Sequence, residues 1–362
     1  MNFQKLKLTK AVKPVNFIIF IFAFYVFISF VFLTGCTSKD NSEPVSRSAF
    51  MMGTLVKLTI HDPHFKDETV FDRAFARIAE IESKMTINAE GGESEIVRLN
   101  NFAGKDFLRL SSDTFYVLKK AVHYSEISGG KFDVTIGPLV KLWNIGTEEA
   151  AVPTEQQIAE RLPLVNYQNL ILDEQNSSAI LAKAGMLVDL GAIAKGYAAD
   201  ELAKIFREAG VKHAIINLGG NILTINQKPD GSTWKLGLQD PLEPRGDYMG
   251  IVMLKDQTLV SSGTYERYFE ADGKRYHHLI NPQTGYPENN SLMSVSIIGK
   301  HSIDADALST AVFLLGLEKG LQLIESLPDY EAIFITTDKK VYVSSGINAE
   351  NFQITKEEYQ LQ

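Results

Sequence analysis

One stretch of this chain cannot belong to a water-soluble core. From Phe17 to Leu33 almost every residue is Phe, Ile, Val or Ala. Lys5, Lys7, Lys10 and Lys13 precede it without a single acid, and Leu33-Thr34-Gly35-Cys36 follows it. A basic start, an apolar run and small residues before the break make a secretory signal, which is removed from the mature chain. Residues 1–35 therefore take no part in the fold. Their loss leaves 327 of the 362 residues and moves the net charge from −8 to −12, because four lysines go and no acid does. An uncleaved transmembrane anchor is the alternative, since the run is nearly long enough to span a bilayer. Either way the remainder lies outside the cytoplasm.

Leu-Thr-Gly-Cys resembles a bacterial lipobox, in which Cys36 becomes the lipidated (palmitate-bearing) first residue of an exported lipoprotein held at the extracytoplasmic, periplasmic face of a membrane. Cys36 is also the only cysteine. A disulfide framework is thus excluded, and no Cys/His spacing reads as a zinc site. The segment 36–48, with its TSKDNSEPVSRS run, reads as the lipidated Cys and a flexible tether. Residues 49–362 read as the folded region. A composition of 45% hydrophobic and 22% charged residues is that of a globular protein. The acidic balance argues against nucleic acid as partner, which requires a basic surface.

Leu55–Ile60 alternates as a strand does, and Phe71, Phe75, Ile78, Ile81 and Met85 recur at helical spacing over Glu68–Met85. A second helix spans Asp113–Ser128 and stops at Gly129-Gly130. Met186–Leu190 reads as a short strand, followed by a helix reaching Ala209, and Val211–Leu218 as another strand. Short strands follow near 233–238, 249–255, 258–262 and 292–298, then one helix over Asp304–Leu327 and strands at 332–336 and 340–344. Without regular βαβ alternation this is α+β, with mixed sheets and packed helices.

Four constellations could carry chemistry. Asp189-Leu-Gly-Ala-Ile-Ala-Lys-Gly196 sits where a strand hands over to a helix. Its helix N-terminus is a natural seat for phosphate, and Lys195 can reach an anion. Asp306 and Thr310 are one helical turn apart and offer hard oxygen ligands suited to Mg²⁺ or Ca²⁺. Alternatively Asp306 merely complements the helix dipole, with Asp304 as cap. His277 and His278 are adjacent on a strand and face opposite ways, so only one joins a given site, as a general base or as a structural residue. Gly130–Leu139 is strand-like with Asp133 inside an apolar frame. Ser261 and Ser262 lack the elbow a serine nucleophile needs.

The order of these pieces is more telling than any one of them. Met52-Gly-Thr, Ser94-Glu-Ile-Val-Arg-Leu-Asn100, Phe132-Asp-Val-Thr-Ile-Gly-Pro-Leu, Asp189-Leu-Gly-Ala-Ile-Ala-Lys-Gly, Asn217-Leu-Gly-Gly-Asn, Ser262-Gly-Thr-Tyr-Glu-Arg, His278-Leu-Ile-Asn-Pro-Gln-Thr-Gly and Asp306-Ala-Leu-Ser-Thr310 follow one another along the chain. In that order they resemble the ApbE family of flavin transferases. The resemblance implies an ApbE-like, T-fold-like α+β architecture. It also implies an activity: FAD is split, its FMN half is joined through a phosphoester to a Thr (or Ser) hydroxyl of a target protein, and AMP is released. It implies Mg²⁺ held by the Asp306 carboxylate, the Thr310 hydroxyl and the Ala192 carbonyl, with His278 deprotonating the acceptor hydroxyl. Met52, Lys131, Phe132, Asp133, Asp189, Lys195 and Ile280 fall where relatives line the FAD site.

The implied acceptors are flavoprotein subunits of outward-facing membrane redox complexes, of the sodium-translocating NADH:quinone oxidoreductase (Nqr) and Rnf types. Two departures stand out. Asn281 replaces an Asp common in the family, and Met85-Thr-Ile-Asn88 lacks the Tyr that stacks on the bound dinucleotide, leaving Asn88 to act by hydrogen bonding. The second departure keeps open an FAD pyrophosphatase giving FMN and AMP. A lipid-anchored flavin binder without turnover is the reading from another class.

Overall fold

The computed structural model describes residues 43–63, 65–88 and 93–362. The expected signal segment and Cys36, the expected lipidation site, lie outside the described residues.

Nine strands build the central sheet, and they lie side by side in the order in which the chain makes them. They are Val45–Met51, Thr54–Ile60, Ala214–Leu218, Asn221–Ile225, Thr258–Gly263, Leu292–Gly299, Tyr330–Thr336, Lys340–Val343 and Gln360–Leu361. Every neighbouring pair is antiparallel except the last. The first strand begins at Val45, so residues 45–48, assigned to the tether by composition, are the first half of an edge strand instead. Their polar side chains alternate in exposure along the sheet edge, a pattern that composition alone reads as linker.

Both faces of the later strands are covered, which explains their near-continuous apolar sequence. Ala332 and Phe334 of one strand enter the main core, whereas Ile333 and Ile335 enter a second cluster on the opposite face. The helices Thr69–Met85, Ala194–Glu208 and Ser302–Leu315 fill the first side. On the other, a three-stranded sheet of Trp234–Gln239, Tyr248–Leu254 and Phe352–Ile354 supplies Leu236, Val252 and Phe352. The architecture is α+β, as expected.

Three expectations fail, each for a physical reason. The single helix over Asp304–Leu327 is two, Ser302–Leu315 and Leu317–Glu325, broken at Gly316, whose φ of 78° no helix accommodates. Met186–Leu190 makes no ladder and forms only an isolated bridge between Leu187 and Ile136. It stays extended because the buried Asn100 side chain clamps Val188, accepting from its N–H at 2.7 Å and donating to its carbonyl at 3.0 Å. The strand-like piece at Gly130–Leu139 is a turn running into the helix Gly137–Trp143. There the Asp133 carboxylate accepts from the Thr135 N–H and hydroxyl and from the Tyr167 N–H, and so shapes the loop.

Candidate active site

Two hairpin tips, one strand end and one helix face converge on a single large cleft. Met52-Gly53 and Gly219-Gly220 are two-residue turns with positive φ throughout (51° and 68°, 66° and 105°), the geometry that tight hairpins demand. The two tips touch: a side chain at Gly219 would start 1.9 Å from the Thr54 hydroxyl. Met52 holds its left-handed conformation with its N–H donating to Glu82 at 2.9 Å.

The helix face is set by an unusually close crossing. A Cβ on Gly196 would lie 2.2 Å from the Ser302 carbonyl, so only glycine lets Ala194–Glu208 approach Ser302–Leu315. That approach puts the Gly196 N–H 2.8 Å from Asp306 Oδ2, while Lys195 Nζ stands 3.7 Å from Oδ1. Neither aspartate caps this helix. Asp200 does so from the neighbouring helix, accepting from the Ser302 and Ile303 N–H groups at 2.9 Å each. Asp304 instead pairs with Lys120 at 2.8 Å and accepts from the Tyr330 hydroxyl at 2.9 Å.

The cleft encloses about 1450 Å³, more than the few hundred to a thousand of an ordinary small-ligand pocket and enough for a dinucleotide. Met52, Asn88, Lys131, Phe132, Asp133 and Asp189 line it, together with Ala192, Lys195, His278, Ile280, Asp306 and Thr310. Every residue that the resemblance assigns to the FAD or cation site thus reaches one wall or another of the same space, whereas His277 and Asp304 do not. Burial pushes the Asp189 and Asp133 carboxyls up, the first opposed by the Gly191 N–H and by Arg267, Lys195 and Lys141.

The paired histidines separate, the strand Lys274–His277 ending at the first and His278 following it in a bend. His277 is buried and donates from Nε2 to the Glu288 carbonyl at 2.9 Å. His278 faces the cleft, its Nδ1 3.3 Å from the Arg267 carbonyl. A carbonyl only accepts, so Nδ1 carries the proton and Nε2 keeps a lone pair. Burial, with the Arg267 guanidinium adding to it, pushes this imidazole down to about 3, and it stands neutral.

Further residues form the walls. Asn221, Glu266 and Arg267 belong to the Asn217-Leu-Gly-Gly-Asn and Ser262-Gly-Thr-Tyr-Glu-Arg stretches, which carry no assigned role for them, whereas Glu82 and Arg245 lie in no such stretch. Arg245 ties two rim segments, donating to Glu266 at 2.8 Å and to the Gly219 carbonyl at 3.5 Å. Glu82 and Arg245 reach the cleft only through folding. Asn281, the departure noted above, donates to Glu288 at 2.6 Å and accepts from the Gln283 N–H. Its amide is what allows that neighbour to be a carboxylate.

Comparison with known proteins shows the family. The ApbE family model matches residues 52–334, from the first hairpin tip to the seventh strand of the central sheet. The chain belongs to the ApbE family. A Klebsiella pneumoniae (strain 342) protein named FAD:protein FMN transferase is 39% identical over 306 residues, covering 84% of this chain and 93% of that one. A Treponema pallidum (strain Nichols) protein of the same name is 35% identical over 327 residues, 86% and 90% of the two chains. Among solved structures, the ApbE protein of Thermotoga maritima superposes with a TM-score of 0.76 at 29% identity, and the flavin transferase ApbE of Vibrio cholerae with 0.75 at 28%. Each covers 84% of this chain and 97% of the other.

Asp306 is buried with Oδ2 accepting from the Gly196 N–H, and Lys195 Nζ stands 3.7 Å from Oδ1. Thr310 one turn on and Ala192 line the same cleft, and a carboxylate, a hydroxyl and a carbonyl are oxygen donors of the kind a hard divalent cation takes.

Proposed function

We propose that this chain is an FAD:protein FMN transferase that moves the FMN half of FAD onto a Thr (or Ser) hydroxyl of an acceptor flavoprotein and releases AMP. The observation that carries the reading is the cleft itself. It has dinucleotide dimensions and brings His278 together with the oxygen-bearing residues Asp306, Thr310 and Ala192 in one space. The acceptor oxygen attacks the phosphorus of the FMN half. The P–O bond to the AMP phosphate breaks, and AMP leaves with the bridging oxygen and its electron pair. His278 takes the hydroxyl proton on Nε2, the nitrogen left free by the Arg267 carbonyl. The negative charge of bound pyrophosphate favours that protonation, against the burial that keeps the ring neutral in the empty cleft. Asp306, Thr310 and the Ala192 carbonyl would hold Mg²⁺, which would neutralise the pyrophosphate and the charge that develops during transfer. Lys195, beside Asp306, adds a fixed positive charge on the same wall. Met52, Asn88, Lys131, Phe132, Asp133, Asp189 and Ile280 frame the dinucleotide.

The signal-like first 35 residues and Cys36 support a lipid-anchored protein at the extracytoplasmic face of a membrane. Outward-facing redox complexes of the Nqr and Rnf types present flavoprotein acceptors there. The test is intact mass of an acceptor domain after incubation with residues 37–362, FAD and Mg²⁺. A covalent FMN increment is expected, and its absence across such acceptors overturns the proposal.

One observation favours a second activity of the same cleft. The wall segment Met85–Asn88 carries no aromatic ring to cover the bound dinucleotide, which leaves room for water as acceptor. FAD would then yield FMN and AMP. AMP release without an acceptor protein, at a rate comparable with transfer, would establish it.

A further inference from the structure

Three hydroxyls and one carbonyl beside the cation site form a chain whose proton directions are fixed by counting. Ser262 lies on the strand Thr258–Gly263, and Ser309 and Thr310 lie on the helix packed against it. Ser309 Oγ is 2.8 Å from the Asp306 carbonyl oxygen and 2.8 Å from Ser262 Oγ. Ser262 Oγ is in turn 3.2 Å from Thr310 Oγ1. Each hydroxyl has one proton, and a carbonyl only accepts. Ser309 must therefore donate to Asp306, since otherwise two lone pairs would face each other at 2.8 Å. Ser262 must then donate to Ser309. With its proton spent, Ser262 can meet Thr310 only as an acceptor, so the Thr310 proton turns towards Ser262.

We propose that Ser262 and Ser309 are positioning residues that hold the Thr310 hydroxyl with its proton turned onto Ser262 and its lone pairs free for a divalent cation. A neutral hydroxyl is a weak ligand, and one free to rotate would present its proton to the cation part of the time. The chain removes that freedom before the metal arrives. It also closes on the backbone of Asp306, the residue that supplies the carboxylate, so both ligands share one framework. Ser309 is fully buried and Ser262 is 8% exposed, so water does not readily replace a deleted hydroxyl. Ser262 is further pinned by its ladder pairing with Val295.

The inference rests on the proposed cation site, and its test reads metal binding rather than turnover. Mn²⁺ is titrated into the FAD-free mature protein and its Ser262→Ala, Ser309→Ala and doubly substituted forms, with free Mn²⁺ followed by electron paramagnetic resonance. Ser262→Ala should weaken Mn²⁺ binding about 10- to 100-fold, the usual range for losing a group that orients a metal ligand. Ser309→Ala should do the same although its hydroxyl never faces the cleft. Without Ser309, Ser262 turns its proton onto Thr310 and drives the Thr310 proton towards the cation. The double substitution should be no worse than the more damaging single one, because both break one chain. Thermal melts identify any form that fails to fold, and Ser262→Ala alone then carries the test. Wild-type binding with Ser262→Ala and Ser309→Ala each within twofold of it overturns the inference and leaves the proposed function standing. So does a double variant whose losses multiply. No Mn²⁺ binding by the wild type overturns the cation site itself.

Discussion

The inner and outer walls of the cleft are built by opposite means. The inner wall, around Asp306, Thr310 and Gly196, is held by buried contacts without slack: a helix crossing that no Cβ fits, a cap supplied by Asp200, and hydroxyls that satisfy one another. The outer lip is held by exposed groups. Leu55, Leu242 and Tyr268 line the mouth and are 58%, 54% and 42% exposed. Arg245 bridges to Glu266, and Arg275 lies over the Tyr268 ring at 4.0 Å. Surface pairs of this kind are worth little to stability. The contrast separates two tasks: the inner wall fixes atoms for a phosphoryl transfer that tolerates no displacement, and the lip faces whatever protein brings the acceptor hydroxyl.

Substitutions on the two walls should therefore fail differently. The largest effect belongs to Asp306→Ala, expected to lower turnover about 1000-fold or more, several kcal/mol of lost charge stabilisation, while the melting temperature changes little. A variant within tenfold of wild type in AMP release would remove Asp306 from the chemistry. His278→Ala should cost about 100- to 1000-fold in turnover. Because the ring is pushed down to about 3, His278 is already deprotonated above that value. The pH profile of kcat/KM should then be flat from pH 5 to 8 as far as this group is concerned, and an acid limb near 6.5 would contradict its assigned environment.

Gly196→Ala tests the rigidity of the inner wall through folding. Its Cβ would meet backbone rather than a yielding side chain, so a loss of about 3 kcal/mol is expected, read as a fall of about 5 °C in the melting temperature. Asn281→Asp should cost about 1–2 kcal/mol in chemical denaturation. It removes a donor to Glu288 and sets two carboxylates against each other. Arg245→Ala on the lip should change stability by less than about 1 kcal/mol. Its effect should be confined to KM for the acceptor protein, and a collapse of turnover there would erase the distinction between the walls.

Sequence made the inner wall legible because its parts are local. Asp306 and Thr310 share a helix turn, and Lys195 and Gly196 follow an extended segment and a glycine into a helix. His277 and His278 are told apart by the end of a strand, which closes at His277 and turns His278 to the cleft. The outer lip is less legible because Leu55, Arg245 and Tyr268 meet only across the sheet and its loops, and the Ser262–Arg267 stretch that holds Glu266 does not name its partner Arg245. Asp133 was recognised as a site residue, yet the local structure that places it there was misread. Its alternating apolar neighbours look like a strand, and only the three bonds to its carboxylate show a turn. The Gly196 motif was read for phosphate, whereas its final glycine serves a helix crossing.

The central claim, that both walls serve one transfer from FAD to a protein hydroxyl, is tested most directly by counting two products of one reaction. AMP release and the FMN mass increment on an acceptor flavoprotein domain are measured in the same tube, with FAD, Mg²⁺ and residues 37–362. A one-to-one ratio of AMP to adduct, lost in Asp306→Ala, is the predicted result. No AMP at all, or AMP accumulating with no adduct on any acceptor, would contradict it.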